Sequence, residues 1–177
     1  MHFITSRLQL LVGLLLVCLS VSCIRDGEPS ASSATLEVGE QVPEFSVVLN
    51  NGESLANTDL KGRVSVLVFF RTACPDCREE LPQIQRLYDA FRNDTRVGIY
   101  CFSWKDHQEE VEQYWQTEGF NLPYAAECED AVYERFACRV VPTVFISDEK
   151  QLVRYKFGDH PVATFDELLQ AVNACLQ

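Results

Sequence analysis

Two cysteines separated by two residues stand in the stretch FFRTACPDCREELP, Phe69 to Pro82. Such a pair can ligate a metal, close a short disulfide loop, or exchange electrons. A structural zinc needs about four ligands, drawn from two such pairs or from added histidines. The chain has no second Cys-x-x-Cys, and neither His107 nor His160 is close to a cysteine in sequence. No metal site and no cofactor are therefore expected. A disulfide across two residues closes so short a loop that it removes little unfolded-state entropy, which makes it a poor staple. Electron exchange fits the local pattern. Cys74 follows an apolar run and opens a helical one, so its sulfur lies near a helix N-terminus, where unpaired N–H groups and the macrodipole stabilise a thiolate. Pro75 presets the first helical φ and has no N–H to leave unsatisfied. Cys74 is then the exposed attacking thiol and Cys77, one turn in, the resolving thiol. The negative charge of Asp76 opposes thiolate formation slightly.

The elements that position this pair follow from periodicity. Phe45 to Leu49 alternates weakly and ends in the turn signal Asn50-Asn51-Gly52. Val64 to Phe70 (VSVLVFF) is a continuous apolar run, typical of a strand buried on both faces. From Pro75 to Arg92 the apolar residues Leu81, Ile84, Leu87, Tyr88 and Phe91 recur at helical spacing. Val97 to Phe102 predicts a second buried strand, and Asp106 with Glu109 predicts a capping box opening a helix through Tyr114 and Trp115. A short helix over about Glu129 to Ala137 leads to Val141-Pro142-Thr143. VFIS, the turn DEK and LVRYKF read as a hairpin, and Phe165, Leu168, Leu169, Val172 and Leu176 mark a last amphipathic helix. A βαβ unit followed by ββα predicts an α/β protein, a mixed central β-sheet flanked by α-helices.

The strand–CxxC–helix order, with Val141-Pro142-Thr143 downstream, resembles the thioredoxin fold, and within it the TlpA/ResA-like extracytoplasmic thiol–disulfide oxidoreductases. The likeness runs from about Val38 to the C-terminus, and C-P-D-C-R-E-E-L-P is similar to that group's CxxC-x-x-E-x-P. The resemblance implies Cys74 as nucleophile, Cys77 as resolving thiol, a redox disulfide between them, and Glu80 as the acidic residue at the site. It implies that Pro82 kinks the first helix. Val141, Pro142 and Thr143 become the substrate-binding loop, with a cis bond before Pro142. It implies protein thiols and disulfides as partners, in the reducing direction, with a membrane thiol reductase of the CcdA/DsbD kind as electron donor. Three departures stand out: Ala73 replaces the usual Trp before the first cysteine, Val68 replaces a buried strand aspartate, and Pro75-Asp76 replaces Gly-Pro. Glu80 either supplies the missing proton acceptor or is a solvated charge of the first helical turns.

The N-terminus reads as targeting sequence. Arg7 precedes LQLLVGLLLVCLS, and small residues follow in SVSC. Ending on Cys23, the segment is similar to a bacterial lipoprotein signal, in its looser Leu19-to-Cys23 form to those of Bacteroidetes; a cleaved secretory signal and an uncleaved anchor are the competing readings. The expected organisation is residues 1–22 signal peptide, 23–41 flexible tether beginning at a lipidated Cys23, and 42–177 thioredoxin-like domain. Each reading places the body outside the cytoplasm, in the periplasm, and the lipoprotein reading also holds it to a membrane by the lipid on Cys23. With 177 residues, 47% hydrophobic and 23% charged, the chain suffices for one well-cored domain. Its formal net charge of −11 repels phosphate backbones, so nucleic acid is not an expected partner.

Two rival functions share parts of the pattern. A copper-handling protein of the SCO kind shares the Cys-Pro-Asp start, but separates its cysteines by three residues and adds a distal histidine, for which His160 is the sole candidate here. A peroxiredoxin places P-x-x-x-T-x-x-C at its peroxidatic cysteine; Thr72 stands only two residues before Cys74, and Leu67 and Val68 fall where the proline belongs. Cys101 and Cys175 read as small core hydrophobes. Cys128 and Cys138 bracket a helix too long to bridge, and Cys138 lies near enough to Pro142 to be weighed as a third thiol.

Overall fold

The computed structural model describes residues 35–127, 131–136 and 138–177. The signal segment, Cys23, the first part of the tether and Cys128 lie outside the described residues. No helix among the described residues is long and apolar enough to cross a membrane.

A five-stranded mixed sheet has the order β5-β4-β3-β6-β7. Its centre is β3 (Val64–Phe70), buried at all seven positions, as the unbroken apolar run demands. Helix α1 (Pro75–Phe91) crosses over to β4 (Val97–Trp104), parallel to β3. Helix α2 (Gln108–Glu118) leads to β5 (Tyr124–Glu127), parallel to β4. After the short α3 (Ala131–Phe136), β6 (Thr143–Ser147) runs antiparallel to β3 and β7 (Val153–Phe157) antiparallel to β6. Helix α4 (Phe165–Cys175) ends the fold, and a small hairpin of β1 (Ser46–Val48) and β2 (Ser54–Ala56) stands apart from the sheet.

Alternation along β3 sends Val64, Val66, Val68 and Phe70 to one face, where they meet Cys77, Leu81, Ile84 and Leu87 of α1 and Leu168 and Val172 of α4. Leu67 and Phe69 go to the other, against the hairpin and Val132, Tyr133 and Phe136 of α3. On that second face the Phe69 ring lies 4.8–5.7 Å, centroid to centroid, from Phe102, Tyr133, Phe136 and Phe145. The Tyr133 hydroxyl accepts from Phe70 N–H at 3.0 Å and donates to Phe102 O at 2.7 Å, tying α3 to the ends of β3 and β4.

Three features differ from the sequence expectation. Strand β5, YAAE, is too short and too alanine-rich to announce itself, and forms because Tyr124–Glu127 align with Cys101–Trp104. The predicted capping box shifts by one residue: the carboxylate of Glu110, not Glu109, takes His107 N–H at 2.7 Å, and Asp106 turns inward. Ordered contacts also begin within the stretch expected to be tether. Leu36 is buried and donates its N–H to Phe136 O at 3.1 Å, and Gly39 N–H reaches Val153 O at 2.8 Å. A buried leucine and a β7-edge partner hold this segment down.

Candidate active site

The sheet register brings the two halves of the site together. Phe69 of β3 faces Thr143 of β6, so the chain leaving β3 toward Cys74 lies beside the chain entering β6 from Val141 and Pro142. The Val141–Pro142 peptide bond is cis. Cys74 is the N-cap of α1, with extended backbone (φ −83°, ψ 122°) and Pro75 just inside the helix. Its Sγ accepts from Cys77 N–H at 3.4 Å, one of the orphan donors of the first turn, and lies 3.5 Å from Val141 O. Thr143 is buried and its Oγ1 donates to Val140 O at 2.7 Å, fixing the loop from below. Val140, one residue before Val141, is exposed to 49% and offers an apolar surface on this loop.

Cys74 is half-buried whereas Cys77 is fully buried, and both are free thiols. Burial pushes the Cys77 thiol well above its ordinary range, and its hydrogen bond with Cys74 and the negative charges of Cys74 and Glu80 push it further the same way. Glu80, one turn along the same face of α1, is only 1% exposed. That removes the solvated-charge reading of this residue. Burial raises its carboxyl to about 7, opposed by the Ala163 N–H that bonds Oε1 at 3.2 Å. Its Oε2 is buried without a protein partner. Val68, where the strand aspartate is missing, is fully buried, and the buried acid of the site comes from the helix instead of the strand. Pro82 lies inside α1 and withdraws one N–H from the helical ladder.

Other expected candidates fall outside this arrangement. Cys101 is fully buried in β4, opposite Val68. Its thiol is pushed up first by burial and then by the charge of Glu80. Cys138 is buried, donates to Val140 O at 3.4 Å and is pushed up to about 11, chiefly by burial. Cys175 is half-buried. His160 gathers with Asp76 and Asp159, their ligand atoms within 4.8 Å of one another, and not with the two sulfurs. Sequence reasoning missed Thr72 and Asp106 as partners: Thr72 gives both its N–H and its hydroxyl to the Asp106 carboxylate, at 2.9 and 3.0 Å.

A helix-capping thiol, a buried partner thiol with an acid behind it, and a cis-proline loop against the outer sulfur define a class: a thioredoxin-fold thiol–disulfide oxidoreductase. The chain belongs to the AhpC/TSA family, whose profile matches residues 38–156. It is 23% identical over 143 residues to the thiol-disulfide oxidoreductase ResA of Halalkalibacterium halodurans, covering 80% of this chain and 81% of the relative. The ResA of Bacillus subtilis is 26% identical over 129 residues, 72% of each chain. Among solved structures, a thiol:disulfide interchange protein of the thioredoxin family from Chlorobium tepidum superposes with TM-score 0.69 at 21% identity, over 81% of this chain and 100% of that one. StoA from Bacillus subtilis superposes with TM-score 0.65 at 24% identity, over 75% and 98%. These structural likenesses establish the fold.

Proposed function

We propose that this protein reduces disulfides of other proteins outside the cytoplasm, cycling Cys74 and Cys77 between dithiol and disulfide. The observation that carries the reading is the position of Cys74 Sγ, between the Cys77 N–H at 3.4 Å and Val141 O at 3.5 Å. An extended substrate chain laid along Val140 and Val141 pairs there as an added strand and brings its own disulfide to that sulfur. The Cys74 thiolate attacks one substrate sulfur. The substrate S–S bond breaks, its far sulfur leaves as a thiolate and takes a proton, and a Cys74–substrate mixed disulfide forms. Cys77 then gives its proton to the Glu80 carboxylate and attacks Cys74 Sγ. The Cys74–Cys77 bond forms as the second substrate thiol is released and protonated. In sum the substrate gains two electrons and two protons from the pair.

Glu80 suits the second step. A thiol raised by burial needs a base within reach, and a carboxyl at about 7 is divided between acid and base at neutral pH. The names of the relatives, all thiol–disulfide oxidoreductases where cited above, support the reaction class. The extracytoplasmic site, the signal over residues 1–22, lipidation at Cys23 and a tether ahead of the domain rest on the N-terminal sequence. A membrane thiol reductase of the CcdA/DsbD kind is the matching source of the two electrons that reset the pair. Turnover of insulin disulfides with dithiothreitol tests the activity. The wild-type domain accelerates reduction, and Cys74→Ser and Cys77→Ser abolish the acceleration; a wild-type rate equal to that of dithiothreitol alone contradicts the proposal.

A further inference from the structure

Only three residues, Arg71 to Ala73, connect the end of β3 to the attacking cysteine, and the polar backbone and side-chain groups of Thr72 in their middle are all engaged. Its N–H donates to Asp106 Oδ2 at 2.9 Å, its hydroxyl donates to Asp106 Oδ1 at 3.0 Å, and its carbonyl accepts from Arg78 Nε at 2.8 Å. Cys74 N–H closes the turn on Arg71 O at 3.2 Å. A carboxylate and a guanidinium therefore grip one small residue from opposite sides, two positions ahead of the nucleophile.

The fold gives up favourable alternatives to make this grip. Asp106 is 4% exposed although it carries no arginine or lysine ion pair among the described residues. It does not serve α2, whose N-cap position is His107, bonded by Glu110. Lys105, just before it, takes the left-handed backbone conformation (φ 61°) that a side-chain-bearing residue avoids. That turn is what delivers the Asp106 carboxylate back from the end of β4 to the end of its neighbour β3. Local strain and a buried charge side by side mark a place where geometry matters more than local stability.

We propose that Asp106 is a positioning residue for the exchange reaction, an inference that rests on the dithiol chemistry proposed above. Through Thr72 it fixes the Arg71–Ala73 turn, and the turn holds Cys74 at the N-cap with its sulfur toward Val141 and the Cys77 N–H. During exchange Cys74 Sγ bonds first to the substrate and then to Cys77. A fixed turn lets both partners meet it without reorganising the loop. Both bonds to Asp106 are charge-assisted, so releasing them frees the turn to sample orientations that do not react.

The test compares Asp106→Asn, Thr72→Val and Thr72→Ser in the full-length protein, scoring iodoacetamide modification of Cys74, insulin kinetics and thermal unfolding. Thr72→Ser keeps both donors and is expected to react within twofold of wild type. Asp106→Asn turns an amide toward those donors and is expected to slow both alkylation and kcat about tenfold, with KM for insulin unchanged. Thr72→Val, which loses the hydroxyl alone, falls between them. Wild-type alkylation and kcat in Asp106→Asn and Thr72→Val, with only the unfolding temperature lowered, overturn the proposal and leave Asp106 a purely structural residue. If Asp106→Asn does not fold, the valine–serine comparison at Thr72 decides alone, equal rates overturning the claim. Failure of the wild type to reduce insulin contradicts the dithiol reading instead, and the alkylation series still judges the grip on Thr72.

Discussion

Replacing Glu80 with glutamine separates a group that titrates inside the protein from one that merely fills space. Glutamine keeps the shape and an oxygen for the Ala163 N–H, now 3.2 Å from Oε1. Burial raises the carboxyl from its ordinary 4.5 to about 7. Across that window the folded protein holds a proton that the unfolded chain has released. The sign follows: wild-type stability falls as pH rises from about 4.5 to 7, and the loss is complete above it. Between pH 5 and pH 8 this single group costs the wild type about 2.5 kcal/mol, at roughly 1.36 kcal/mol per unit of displacement. Glu80→Gln has no titrating group here and so no such pH dependence. Urea denaturation of the reduced proteins should therefore show the variant gaining about 2.5 kcal/mol on the wild type between pH 5 and pH 8. All other carboxylates titrate equally in both proteins and cancel. The gain in stability accompanies a loss of function, because Cys77 loses its base: insulin reduction should slow by about 100-fold, the low end for acid–base assistance. A pH-dependent difference below about 1 kcal/mol refutes the raised carboxyl. Unchanged rates over pH 5–8 refute its part in proton transfer.

Tyr133→Phe removes the hydroxyl that serves Phe70 N–H and Phe102 O and strands both in the core. A loss of about 2–3 kcal/mol in urea denaturation is expected, and one below about 0.5 kcal/mol contradicts the tie between α3 and the strand ends. Lipidation at Cys23 predicts that an alkynyl fatty acid fed to cells labels the wild type and not Cys23→Ala. A labelled variant or an unlabelled wild type rejects the anchor.

The parts of this site that are legible in sequence are those whose chemistry is local. Cys74 and Cys77 are named by their spacing and by the change from apolar run to helical pattern, whereas Val141-Pro142 is named by its resemblance to the thioredoxin proline loop. The core of α1 follows from the spacing of Leu81, Ile84 and Leu87. Glu80 is different: at i+3 from Cys77 it falls on the inward face, yet its burial depends on the Ala163 segment more than eighty residues later. Asp106 is harder still. D-H-Q-E reads as a capping box, yet the box forms one residue later at His107 and Glu110, because Asp106 is drawn to Thr72 in the turn that follows the neighbouring strand. The same holds for β5 and for the segment from Leu36, where pairing across the fold outweighs weak local preference.

The central claim is that Cys74 attacks and Cys77 resolves, and the mixed disulfide is its most direct witness. Cys77→Ser stops the reaction after the first step, so cells expressing it should accumulate covalent complexes that dithiothreitol dissolves. Mass spectrometry of those complexes then identifies substrate and electron donor together. Cys74→Ser should accumulate few, because the remaining thiol at Cys77 is fully buried. Equal trapping by the two variants, or trapping by neither, contradicts the account.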